Sequence, residues 1–142
     1  MKYLLDTDHI SILQRASGVE YATLAGRIAQ HPQSDFALPI VSFHEQILGA
    51  HTLIAQARTT ASAVRGYALL GEILNGFLFA PVLPFDAAAG ARFDALKRQR
   101  LRVATMDLRI ASIALSRGLV LLTRNAADFG RIPGLVIEDW TH

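Results

Sequence analysis

The sequence predicts an α/β domain built on a central, mostly parallel sheet flanked by helices. Three observations predict it. Short apolar runs alternate along the chain with longer segments of helical period. Leu119-Val120-Leu121-Leu122 is apolar at every position up to Thr123, as a strand covered on both faces must be. The chain has 142 residues, 51% hydrophobic and 18% charged, enough for one domain that buries roughly 68–70% of its unfolded surface. Residues 1–142 therefore read as a single domain.

The elements follow in order. Lys2-Tyr3-Leu4-Leu5 reads as a buried strand that stops at Asp6. Thr7 or Asp8 then caps a short helix to about Ala16, with Gly18 as its stop. A second helix runs from Val19 to His31, where Pro32 halts it. Asp35 to Val41 reads as the second strand. Ser42-Phe43-His44-Glu45 has the Ser-x-x-Glu spacing of a capping box, so a helix is expected from Phe43. Ile47, Leu48, Leu53 and Ile54, then Leu69, Leu70, Ile73, Leu74 and Phe77, carry the helical period to Phe79, with a break near Arg58–Thr60. Pro81 to Phe85 is extended, and Asp86 caps an Ala-rich helix. Met106 to Arg117 is a further helix, closed by Gly118. The strand Leu119–Thr123, a helical turn at Asn125–Phe129 and a last strand at Leu135–Ile137 complete the chain.

Composition removes several function classes. With no cysteine, disulfides, thiolate metal sites and cysteine nucleophiles are excluded, which fits a reducing cytoplasm. Asp6 interrupts the opening apolar run, which argues against a signal peptide. The apolar stretch Phe77–Phe85 is too short for a membrane helix, which needs about 20 residues, so no membrane association is expected. His44-Glu45 opens like a zinc-protease motif, but Leu48 stands where the second histidine belongs. No phosphate-binding glycine loop and no Gly-x-Ser-x-Gly elbow is present. The net charge of +2 is unevenly placed: residues 58–131 carry eleven Arg/Lys against five Asp/Glu. Arg92, Lys97, Arg98, Arg100 and Arg102 form the densest basic run, which suits a polyanion or simply a solvated helix face.

The acids sit where chemistry is expected. Asp6 follows the first strand, Glu45 lies one turn past the second, and Asn125 and Asp128 follow the strand Leu119–Thr123. Asp107 stands in the first turn of the helix near Met106. Ligand sites in open α/β sheets gather beyond the carboxyl ends of the strands. Crowded carboxylates repel unless a cation lies between them, and hard oxygen donors select Mg²⁺ or Mn²⁺. Each of these residues is also a sensible helix cap, so a purely structural role competes with the catalytic one.

Four segments together resemble the PIN-domain ribonucleases, and especially the VapC toxins of bacterial toxin–antitoxin pairs. They are Leu4-Leu5-Asp6-Thr7-Asp8, Val41-Ser42-Phe43-His44-Glu45, Ala104-Thr105-Met106-Asp107-Leu108-Arg109-Ile110-Ala111, and Leu121 to Phe129 with Ile132-Pro133-Gly134-Leu135. The resemblance implies a PIN-like three-layer fold and a Mg²⁺- or Mn²⁺-dependent endoribonuclease that cuts structured RNA, a tRNA or rRNA. It implies Asp6, Glu45, Asp107 and Asp128 as the catalytic set, with Asp6 and Asp107 the principal metal ligands and Glu45 the second acid. The fourth acidic position falls to Asp128 or to Asn125, where many relatives carry Asp. Asp8 stands where Asn is common. Arg98, Arg100, Arg102 and Arg124 are the candidates for holding RNA. A homodimer and a cognate VapB-type antitoxin are the implied partners. Two other readings compete: a PIN nuclease acting on other nucleic acid, which at this length has no insertion to arch over the site, and a non-catalytic α/β module that binds RNA or a partner.

Overall fold

A computed structural model describes all residues, Met1 to His142. Five parallel strands form one sheet: β1 (Tyr3–Leu5), β2 (Phe36–Pro39), β3 (Val82–Leu83), β4 (Val120–Leu122) and β5 (Ile137–Glu138), in the spatial order β3-β2-β1-β4-β5. Tyr3 pairs with Phe36 on one side and with Val120 on the other, so β1 is central. Seven helices cover the sheet: α1 (Thr7–Arg15), α2 (Val19–Ile28), α3 (Ile40–Ala55), α4 (Thr60–Gly76), α5 (Ala87–Arg98), α6 (Thr105–Arg117) and α7 (Ala126–Phe129).

The alternation of strand side chains divides the core into two halves. Leu4 and Leu121 face a cluster with Leu96, Leu108, Ile110, Ile113 and Phe129. Their neighbours Leu5 and Leu122 face the opposite cluster, with Ile10, Leu24, Phe36, Ile73 and Trp140. Three layers result, α/β/α, as the sequence predicts. Trp140 closes the second cluster against Tyr3, His31 and Phe36.

Several local expectations are corrected. Asp6, rather than Thr7 or Asp8, is the N-cap of α1; its Oδ1 accepts the Thr7 N–H at 2.7 Å. That helix ends with Ala16 in the left-handed region, and Gly18 (φ 94°) instead precedes α2. Helix α2 stops at Ile28, short of His31. Strand β2 ends at Pro39, and α3 starts at Ile40 with no side-chain cap. Ser42 is therefore inside the helix and fully buried, and Ser42–Glu45 is not a capping box. Strand β5 begins at Ile137, two residues later than expected. The caps at Asp86, Gly118 and Asn125 form as expected.

Candidate active site

Successive connections leave β1 toward β2 and β3 on one side, and β4 and β5 lie on the other. The direction reverses between β1 and β4, and a crevice opens there beyond the strand ends. Asp6 leaves β1 and Thr123 leaves β4 directly into it, bridged by a hydrogen bond from the Thr123 hydroxyl to Asp6 Oδ2 at 2.8 Å.

Asp6 is 5% exposed. Burial, with the charge of Asp8 next, pushes its carboxyl up to about 7, against the hydrogen bonds from Thr123 and Thr7. Asp107, on the first turn of α6, is pushed up to about 6 by burial and then by the charges of Glu45, Asp128 and Asp8. Burial also raises Glu45, offset in part by Thr7 and the nearby His44. Asp6 feels the charges of Asp8 and Asp107, and Asp107 feels those of Glu45, Asp128 and Asp8, so the five carboxylates form one electrostatic cluster with Asp107 at its hub. They are not scattered over separate surfaces.

The early start of α3 explains how Glu45 arrives. Released from capping, its Oε1 accepts the Thr7 hydroxyl at 3.1 Å, and Ser42 Oγ lies 2.8 Å from the same hydroxyl. Thr7 thus ties α1 to α3. Ser42 supports it from the buried side, a role that no sequence spacing signals.

Asn125 and Asp128 divide their tasks. Asn125 caps α7, its Oδ1 accepting the Asp128 N–H at 3.2 Å and its Nδ2 donating to Asp128 Oδ2 at 3.0 Å. Asp128, not Asn125, supplies the charge felt at Asp107. Arg131, which sequence reasoning passed over, donates to Asp128 Oδ1 at 3.3 Å and to the Arg102 carbonyl at 2.8 Å. It fastens α7 to the segment that leads into α6. Arg98, Arg100 and Arg102 are exposed around that same segment. Arg124 is already engaged, its guanidinium 3.0 Å from Glu20.

The donor chemistry suits a hard divalent cation: the coupled side chains Asp6, Asp8, Glu45, Asp107 and Asp128 offer carboxylate oxygens. No three of the acidic or histidine side chains close to ligand distance of one point.

A parallel α/β sheet with a carboxylate crevice at its switch point, flanked by exposed arginines, defines a nuclease-type protein of PIN-like fold. No family model matches the chain. It is 30% identical to Ribonuclease VapC1 of Haemophilus influenzae (strain R2866) over 142 residues, 99% of each protein. It is 32% identical to the tRNA(fMet)-specific endonuclease VapC of Salmonella typhimurium over 112 residues, 75% of this chain and 76% of that one. Its fold matches DNA-bound VapBC from Salmonella typhimurium at a TM-score of 0.74 and 27% identity, covering 99% and 98% of the two chains. VapBC-1 from nontypeable Haemophilus influenzae matches at 0.69 and 28%, over 100% of both. The chain belongs to the VapC family of PIN-domain ribonuclease toxins.

Proposed function

We propose that this protein is a Mg²⁺- or Mn²⁺-dependent endoribonuclease toxin that hydrolyses phosphodiester bonds in structured RNA, a tRNA or rRNA. The observation that carries the reading is the carboxylate crevice, in which Asp6 and Asp107 are held near pKa values of about 7 and about 6. Such groups are costly to ionise in an empty site and favourable beside a cation. Asp6 and Asp107 would be the principal ligands, with Glu45 and Asp128 completing the set. When bound, the ion supplies Lewis acidity at the phosphate and acidifies water. Thr123 and Thr7 aim Asp6 and Glu45. Arg98, Arg100 and Arg102 would hold the RNA backbone outside the crevice.

The toxin role includes a cognate VapB-type antitoxin as partner. An open apolar groove of about 570 Å³ between α1, α2 and α4, with Ile10, Leu13, Tyr21 and Phe79 among its walls, would receive an apolar segment of it. Exposed Leu48, Leu53, Val64, Tyr67 and Leu74 on α3 and α4 favour a homodimer. No helix is long and apolar enough to cross a membrane, and the proposed RNA substrate favours action in the cytoplasm.

The test maps cleavage ends on total RNA with Mg²⁺, with Mn²⁺ and with chelator, for the parent, Asp6→Asn and Asp107→Asn. The expected result is defined ends from the parent with either metal, and none from the variants or in chelator. Cleavage by Asp6→Asn at the parent's rate would overturn the reading. Co-purification with the product of an adjacent small gene, and loss of cleavage in that complex, tests the partner.

A further inference from the structure

One ring outside the carboxylate set connects the chain's end to the crevice. His9, on α1, is completely buried. The Trp140 backbone N–H donates to its Nε2 at 3.3 Å. Because an amide N–H can only donate, that nitrogen holds a lone pair and the ring proton sits on Nδ1. Nδ1 lies 2.8 Å from Asp8 Oδ1. Asp139 Oδ1 is 3.9 Å from Nε2, beyond hydrogen-bond reach, and is taken by the Thr141 N–H and O–H at 2.9 and 2.6 Å. The tautomer is thereby fixed by the partners on each side.

The other face of Asp8 meets the turn after β4. Its Oδ2 accepts the Arg124 N–H at 3.0 Å and lies 3.4 Å from the Thr123 hydroxyl. That hydroxyl donates to Asp6 and accepts the Asn125 N–H at 3.0 Å. The series Trp140 N–H, His9, Asp8, Arg124 N–H and Thr123 therefore runs unbroken from the C-terminal segment to Asp6.

We infer that His9 is a positioning residue: its Nδ1–H fixes the Asp8 carboxylate, which clamps the Thr123–Asn125 turn and so aims Asp6 and the start of α7. The inference rests on the endoribonuclease reading for its effect on rate, and on hydrogen-bond geometry alone for its mechanism. Without the Nδ1 donor, Asp8 is free to turn, Arg124 N–H loses its acceptor, and Thr123 is no longer held against Asp6. Displacements of about an ångström at reacting groups reduce rate about 100-fold, and loss of a supporting hydrogen bond around a metal ligand typically reduces activity 10- to 100-fold.

Two substitutions separate positioning from packing. Asparagine at this position sets its amide N–H₂ near Nδ1 and can still donate to Asp8. Glutamine sets its carbonyl near Nε2 and can still accept from Trp140, but offers Asp8 nothing. His9→Gln is expected to lower kcat for RNA about 10- to 100-fold with little change in KM, and to speed hydrogen exchange at the Arg124 amide. His9→Asn is expected to recover at least tenfold of that loss, with Arg124 exchange slow again, although both variants melt at similar temperatures. A His9→Gln protein that cuts like the parent would overturn the inference, as would kcat losses that simply follow melting temperature in both variants. Should both variants fail to fold, long-range ¹H–¹⁵N spectra of the parent decide. Nδ1 must be the protonated nitrogen and Nε2 the bare one, and the reverse overturns the assignment. If the parent itself leaves RNA uncut, the endoribonuclease reading fails, and His9 is judged on the spectra and Arg124 exchange alone.

Discussion

Asp6→Asn gives the sharpest test of how the crevice is built. In chelator, Asp6 ionises at about 7 in the folded protein against a usual 3.8. At ~1.4 kcal/mol per tenfold in proton affinity, the folded state at pH 8 bears a cost of up to about 4 kcal/mol for this one charge. The sign follows from proton counting. Between pH 4 and 7 the folded chain holds a proton on Asp6 that the unfolded chain has released, so stability falls as pH rises through that window. Asparagine removes the titration. It still caps α1, because its Oδ1 can accept the Thr7 N–H, and Thr123 can turn its hydroxyl to accept from the new amide. Some fit is lost at that contact, so a gain of about 2–4 kcal/mol at pH 8 is expected. For a chain of this size that is roughly 6–12 °C in melting temperature. The assay is thermal or urea unfolding of parent and variant at pH 5 and pH 8 in chelator, repeated with Mg²⁺. The variant is expected to gain little at pH 5, to gain most at pH 8, and to lose the parent's stabilisation by Mg²⁺. A variant that is no more stable than the parent at pH 8, or that keeps the parent's pH slope in full, refutes a buried, electrostatically strained Asp6.

Asn125→Asp keeps the cap of α7 and adds charge beside Asp128; divalent binding followed by calorimetry is expected to tighten at least threefold, whereas Asn125→Ala costs only the cap, about 1 kcal/mol in urea unfolding. Glu45→Gln retains a hydrogen bond from Thr7, so melting temperature at pH 6 is expected to stay within about 3 °C of the parent (about 1 kcal/mol), while RNA cleavage falls at least 100-fold in a gel assay. Replacing Arg98, Arg100 and Arg102 together by Ala is expected to weaken RNA binding and to lower the slope of log affinity against log salt by about 2, at ~0.7 per phosphate contact on a single strand. Trp140→Ala removes a fully packed ring from the second core cluster and is expected to cost about 3–5 kcal/mol in urea unfolding.

Much of this molecule was legible before any coordinates. The strand–helix alternation, the strand leading to Thr123 and the caps at Asp86, Gly118 and Asn125 all rest on local chemistry, which neighbours in sequence largely decide. The placing of acids after strands made the crevice legible too, because parallel strands must all end on the same edge. Glu45 shows where such reading stops. Its Ser-x-x-Glu spacing spells a capping box, yet α3 begins at Ile40. The end of β2 is paired with β3, Leu38 with Val82 and Pro39 with Leu83, and a contact 44 residues away leaves no trace in the local pattern.

By itself the sequence determined which residue types would follow the strand ends, and so which ligands to expect there, a hard cation and a phosphate backbone. Only the tertiary structure decided which acid each hydroxyl would aim, that Asp128 rather than Asn125 lends charge to Asp107, and that His9 would join the chain's end to the crevice. The physical reason is range. Capping and periodicity act over three or four neighbours, whereas burial, Coulomb coupling and side-chain hydrogen bonds join groups more than a hundred residues apart, such as Thr123 with Asp6 and Trp140 with His9.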